Sequence, residues 1–71
     1  MQEKTYKLIE IVGVSATSIE EAIQSAISQA SQTLKNLDWF EVVEVRGMIE
    51  EGKVTAFQVK LKVGFRLSQT S

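Results

Sequence analysis

The chain carries one tryptophan, Trp39, in the run Asn36-Leu37-Asp38-Trp39-Phe40-Glu41-Val42. Its large electron-rich ring is the side chain best suited to holding a flat ligand by stacking. Two other side chains offer recognition chemistry. Gln58 presents an N–H donor and a carbonyl acceptor together, and Arg46 presents a planar, permanently charged fork that pairs with phosphate or carboxylate. Each has a plainer reading as well. A lone tryptophan ordinarily packs in a core, a glutamine on the exposed parity of a strand ordinarily meets solvent, and Arg46 ordinarily pairs with Glu44 or Glu50.

Catalytic chemistry is poorly provided for. The chain has no histidine to activate its serines, no cysteine to act as nucleophile or thiolate ligand, and no G-x-S-x-G elbow. The acid pairs Glu20-Glu21 and Glu50-Glu51 fall at a helix start and a turn, where capping and solvation account for them. Gly13, Gly47, Gly52 and Gly64 do not assemble a phosphate loop. A binding protein is expected, not an enzyme.

The elements that must position Trp39, Arg46 and Gln58 are short. A chain of 71 residues makes one domain, spanning 1–71, and a domain this small hides only about 60% of its unfolded surface. Without cysteine or histidine it has neither disulfide nor zinc to reinforce it, so oligomerisation is the expected source of further burial. Eight basic against nine acidic side chains give a net charge of −1, which is no footprint for a nucleic-acid binder. No apolar run approaches the ~20 residues that cross a bilayer, and the N-terminus lacks the apolar stretch of a signal peptide. The expected location is cytoplasmic.

Thr5 to Val14 clusters β-branched and aromatic residues and reads as a strand. Ser18-Ile19-Glu20-Glu21 fits a helix-opening capping box, with Thr17 and Glu20 as an equally valid register. Ile19, Ala22, Ile23, Ala26, Ile27, Ala30, Leu34 and Leu37 then follow helical spacing as one stripe to be buried on a sheet. Trp39 to Ile49 reads as a second strand, Glu50 to Lys53 as a hairpin loop, and Val54 to Leu67 as a third strand. The third alternates: Phe57, Val59, Leu61, Val63, Phe65 and Leu67 on the helix side, Ala56, Gln58, Lys60, Lys62, Gly64 and Arg66 on the other. Ser68 to Ser71 is a patternless polar tail, read as disordered.

The fold class is therefore α+β, with order β-α-β-β. A three-stranded antiparallel sheet in order 1-3-2, wrapped around one helix, makes every neighbouring pair antiparallel. One helix covers one face only. Leu8 and Val12 lie at one parity of the first strand, with Ile9 and Ile11 at the other. The second strand shows the same split, Val42 and Met48 against Val43, Val45 and Ile49. Exposing such side chains forgoes several kcal/mol at roughly 25 cal/mol per Å², so the uncovered face is expected to pack against other copies. A β-bulge near Val42-Val43 would explain part of the mixed parity instead.

Taken together, Leu37-Asp38-Trp39-Phe40-Glu41-Val42, Glu44-Val45-Arg46-Gly47, Phe57-Gln58-Val59 and Val63-Gly64-Phe65-Arg66-Leu67 resemble the dodecins, small flavin-binding proteins. The resemblance runs from Tyr6 to Leu67. It implies a hollow homododecamer of tetrahedral symmetry that holds flavins in pairs near subunit contacts for storage and sequestration, each isoalloxazine stacked on a tryptophan. On that resemblance Trp39 stacks on and quenches the ring. Gln58 meets its pyrimidine edge, Arg46 pairs with the phosphate of FMN in preference to riboflavin, and Asp38 bonds the ribityl chain. It also implies coenzyme A as a ligand, with Tyr6, Lys7 and Arg66 toward the adenine and phosphates. Arg46 places the chain with the bacterial type. The other reading is an oligomeric assembly module without a physiological ligand.

Overall fold

The computed structural model describes residues 4–67, so the tail from Ser68 to Ser71 lies outside the described residues. The elements are β1 (Tyr6–Ser15), α1 (Ile19–Ala30), β2 (Leu37–Glu50) and β3 (Lys53–Arg66). They form one sheet in order β1-β3-β2, with β3 antiparallel to both neighbours. The expected α+β architecture holds, with the single helix on one face.

Of the two registers open for the helix start, the chain uses Ser18. Its backbone is extended and its Oγ accepts from the Glu21 N–H at 3.0 Å, with Glu20 and Glu21 in the first turn where the helix dipole favours acids. The far end departs from expectation. The apolar stripe continues to Leu37, yet α1 stops at Ala30, with Ser31 as its C-cap. Ser31 Oγ donates to the Ser28 carbonyl at 2.9 Å, and the Ser31 and Leu34 N–H groups return to Ile27 and Ala30. Ser31, Gln32 and Thr33 satisfy the last carbonyls without prolonging the helix, as serine and threonine do at helix ends. Asn36 then takes a left-handed φ of 65°, which asparagine tolerates better than most residues, and turns the chain into β2. Leu37 joins the core from the strand instead of from the helix.

Helix and sheet meet most closely at Gly13. A Cβ there would collide with the Ala22 carbonyl oxygen and stand 2.9 Å from Ala26 Cβ, so glycine on β1 and alanines on α1 are matched for close approach. Ala22, Ala26, Val59, Leu61 and Val63 are the fully buried apolar residues, flanked by half-buried Ile9, Ile11, Ile23, Ile27 and Leu37. The helix side of β3 is thus as its alternation predicts from Phe57 to Phe65, whereas Leu67, expected in the strand, lies just past its end at Arg66 and is 40% exposed.

β2 is different. All of it except Leu37 is exposed, because α1 lies over β1 and the adjoining side of β3. The bulge that stood as the alternative explanation of the mixed parity near Val42-Val43 is present as a register shift between Val42 and Glu44, which brings both Val42 and Val45 opposite helix-side residues of β3, Leu61 and Val59. Exposed apolar surface therefore lies on both sides of the sheet: Phe40, Val42 and Val45 beside the helix, and Leu8, Val12 and Val14 on the open face. The hairpin turn is two residues, Glu51 and Gly52, both at positive φ (53° and 77°), the primed geometry that matches strand twist.

The result is an elongated chain of 57 × 20 × 14 Å with a radius of gyration of 15.0 Å, against about 11 Å for a compact chain of this length. Its accessible surface is 5486 Å², against about 4,400 Å² for a compact monomer of this mass. A β2 that nothing in the same chain covers contributes to both excesses.

Candidate functional site

Two groups of side chains occupy the open face, one near the Leu37 end of the β2–β3 ladder and one in its middle, short of the hairpin. The first is built around Trp39. Its partner in register is Gly64, and the indole lies across that glycine: a Cβ at position 64 would meet ring atoms Cε2 and Cζ2 and stand 2.9 Å from Nε1. A lone glycine inside an alternating strand marks such a close approach. Trp39 is 43% exposed, so it is not a core tryptophan.

Tyr6 reaches the same place from the opposite edge. Its ring centroid is 6.4 Å from that of Trp39, with the planes tilted by 50°, and its hydroxyl donates to Asp38 Oδ2 at 2.9 Å. The two edge strands are thereby linked by side chains passing over β3, a route open because Gly64 has no side chain of its own. The Asp38 hydrogen bond is the chief cause that raises the Tyr6 phenol above its ordinary pKa; desolvation and the Asp38 charge add to it, and Arg66 opposes it. Tyr6 is the chain's only tyrosine, so its ultraviolet titration is unambiguous. It is expected above the ordinary tyrosine range in the native protein and closer to that range in Asp38→Asn; coincident curves would refute the bond.

The second group is built around Arg46, which pairs in register with Gln58, beside Glu44 paired with Lys60. Arg46 Nη2 lies 3.1 Å from Glu44 Oε2, and Lys60 Nζ lies 3.5 Å from Glu44 Oε1. The hydrogen bond and charge of Arg46, then the charge of Lys60, hold the Glu44 carboxyl below its ordinary pKa. Gln58 Nε2 rests 3.7 Å from the Met48 sulfur, a weak acceptor that leaves the amide available to a better partner. With Val12 these groups line a cavity of about 260 Å³.

The sequence-derived flavin set is thus divided. Trp39 and Asp38 stand at one end of the ladder and Arg46 and Gln58 near its middle. Gly64 and Gln58 are six residues apart on β3, roughly 20 Å at the rise of a strand, longer than a three-ring heterocycle spans. Of the set read for coenzyme A, Tyr6 and Arg66 pair in register on the open face, whereas Lys7 pairs with Phe65 and belongs to the helix side. Sequence reading did not assign a role to Gly64 or to Lys60. The signal for the first was present, since Gly64 interrupts an otherwise bulky strand at the parity facing away from the helix.

Two further clefts adjoin the helix. One of about 210 Å³ lies between α1 and β2, lined by Ile23, Ile27, Leu37, Phe40 and neighbouring residues including Trp39. One of about 440 Å³ lies toward the C-terminal end of α1 against Ile9 and Ile11 of β1. Among the described residues no group of three or more His, Cys, Asp or Glu side chains is placed to hold a metal ion, and no helix is long and apolar enough to cross a membrane.

Comparison with known proteins bears on the family and the fold. A family model described as Dodecin matches residues 5–68. The chain is similar to a dodecin of Thermus thermophilus, with 54% identity over 67 residues covering 94% of this chain and 97% of that one. It is also similar to the calcium dodecin of Mycobacterium tuberculosis, 33% identical over 63 residues and 87% of each chain. Among solved structures, dodecin from Streptomyces coelicolor superposes with a TM-score of 0.91 at 50% identity, covering 99% of this chain and all of that one.

Proposed function

The chain belongs to the dodecin family, and from that membership we propose that it is a flavin-binding storage and sequestration protein that works as a homododecamer. The observation that carries this reading is the exposed indole of Trp39, laid over Gly64 and flanked by Tyr6, where a flat electron-poor ring can stack. Stacked indole also gives an electron to a photoexcited isoalloxazine, which returns the ring to its ground state before it does damage. Sequestration and photoprotection then come from one contact.

The distance along the ladder determines how the remaining residues take part. The separation of Trp39 from Gln58 and Arg46 of the same chain favours a ligand that bridges subunits, its ring on one indole and its pyrimidine edge and phosphate on a neighbour's amide and guanidinium. Assembly is consequently part of the binding site. The surplus surface of the isolated subunit and the bare Phe40, Val42 and Val45 supply the apolar area for it. FMN is preferred over riboflavin through Arg46, and Asp38, already accepting from Tyr6, has a second oxygen for a ribityl hydroxyl. Coenzyme A, as a further ligand, would be held first by Tyr6 and Arg66, with Lys7 reaching it round the exposed edge of β1. The function is binding without turnover, in keeping with a site of aromatic, amide and guanidinium groups.

Titration of the purified protein with FMN, followed by flavin fluorescence alongside sedimentation of the same samples, tests the proposal. Strong saturable quenching by a particle of twelve subunits is expected. Undiminished emission would return Trp39 to a packing role and favour an assembly module without a physiological ligand, and a monomer would refute the intersubunit site.

A further inference from the structure

Arg46 does not present a free fork. One carboxylate, that of Glu44, holds both Arg46 and Lys60, and Gln58 completes the rim of the same cavity. These four side chains form two adjacent cross-strand pairs on one face, Glu44 with Lys60 and Arg46 with Gln58. Their register is set by the bulge at Val42-Val43. Without that extra residue the parity of β2 beyond it would invert, and Glu44 and Arg46 would face the helix side.

A carboxylate between a guanidinium and an ammonium is the same kind of guest as a phosphate monoester, a planar or tetrahedral set of anionic oxygens taking charge-assisted hydrogen bonds. We infer that Glu44 is a built-in competitor for the phosphate of an incoming flavin nucleotide, and that Lys60 is the second cation of that phosphate site. The inference rests on the reading of Arg46 as the phosphate partner and extends it. Phosphate binding becomes an exchange of one anion for another, and Glu44 sets how strongly the phosphorylated ligand is preferred over its unphosphorylated counterpart. A ligand without phosphate leaves the Glu44 cluster undisturbed. Arg46, Glu44 and Lys60 are all substantially exposed, so solvent screens the exchange and its effect is modest, about fivefold in affinity.

The affinities of FMN and riboflavin are to be measured side by side, at fixed ionic strength, for the native protein, Glu44→Gln, Lys60→Gln and Glu41→Gln. Glu41 lies on the same open face, paired in register with Lys62, so its variant removes an equal charge without freeing Arg46. Glu44→Gln is expected to tighten FMN about fivefold relative to riboflavin, Lys60→Gln to weaken it by a similar factor, and Glu41→Gln to leave the ratio unchanged. An unchanged ratio in Glu44→Gln would overturn the inference. So would an equal change in Glu41→Gln, which would reveal long-range repulsion only.

If the native protein bound neither flavin, the proposed function would fail by itself, and inorganic phosphate would then judge the cluster. The Arg46 side-chain N–H resonance should respond at about fivefold lower phosphate in Glu44→Gln than in the native protein. Identical phosphate titrations would overturn the exchange.

Discussion

Gly13→Ala is expected to lower the thermal midpoint of the protein by more than about 10 °C, although it adds one methyl group. The Cβ would enter the Ala22 carbonyl oxygen and crowd Ala26, so either β1 or α1 must retreat. Retreat costs the contact that the fold depends on most. Ala22 and Ala26 are the only helix residues among the five that are fully buried, and they touch the sheet because position 13 has no side chain. Overpacking of this kind costs about 1–3 kcal/mol or more. For a chain of this length, whose stability is of the order of 4–10 kcal/mol, a loss of ~2–3 kcal/mol shifts the midpoint by roughly 10–20 °C. Gly47→Ala is the control, because a Cβ there meets only ordinary contacts at 3.7 and 3.9 Å from residues of β3. Circular dichroism melts of the two variants should diverge widely. A Gly13→Ala protein melting with the native one would show that helix and sheet do not meet as closely as described.

The legible and illegible parts of this molecule differ in the range of the interaction that determines them. The order of elements and the hairpin at Glu51-Gly52 are local or follow from the alternation of β3 and were visible in the residues, whereas the Ser18 cap was one of two open registers and the bulge near Val43 one of two explanations of the mixed parity. The end of α1 was not visible. Leu34 and Leu37 fall in phase with the helix, and what ends it is the side-chain hydrogen bonding of Ser31 together with a left-handed Asn36, weaker signals than a proline or glycine. Trp39, Arg46 and Gln58 were found from their chemistry, but Trp39 and Arg46 are seven positions apart and share a face only through the bulge between Val42 and Glu44. Their division into two groups required the register, although the seven positions from Trp39 to Arg46 along one strand already implied a separation of roughly 20 Å. The apolar excess was also legible in amount but only half in place. The open face was anticipated, whereas the helix side of β2 is bare because twelve helical residues lie over β1 and the near side of β3 and leave the far strand uncovered.

Gly64→Ala is expected to reduce FMN affinity and quenching nearly as far as Trp39→Ala does, without touching the ligand. Stacking on an aromatic side chain is worth about 1–3 kcal/mol per ring, so loss of the indole should weaken binding by roughly 10- to 100-fold. In Trp39→Ala the ring is removed. In Gly64→Ala the ring remains but cannot lie flat, because the new Cβ would occupy the space of its Cε2 and Cζ2 atoms and stand 2.9 Å from Nε1. Backbone effects run the other way: alanine loses less conformational freedom than glycine on entering a strand, which favours the folded state by roughly 0.5–1 kcal/mol. A displaced Trp39 also frees Tyr6 from one side of its packing, so the Tyr6 titration and the indole fluorescence should both move. Weak binding in a protein with unimpaired far-ultraviolet dichroism and altered indole emission would therefore identify orientation of the ring, and not loss of the fold, as the cause. Native affinity and quenching in Gly64→Ala would mean that the flavin does not use the indole in the pose set by Gly64, and the stacking site would have to be sought on another face of Trp39.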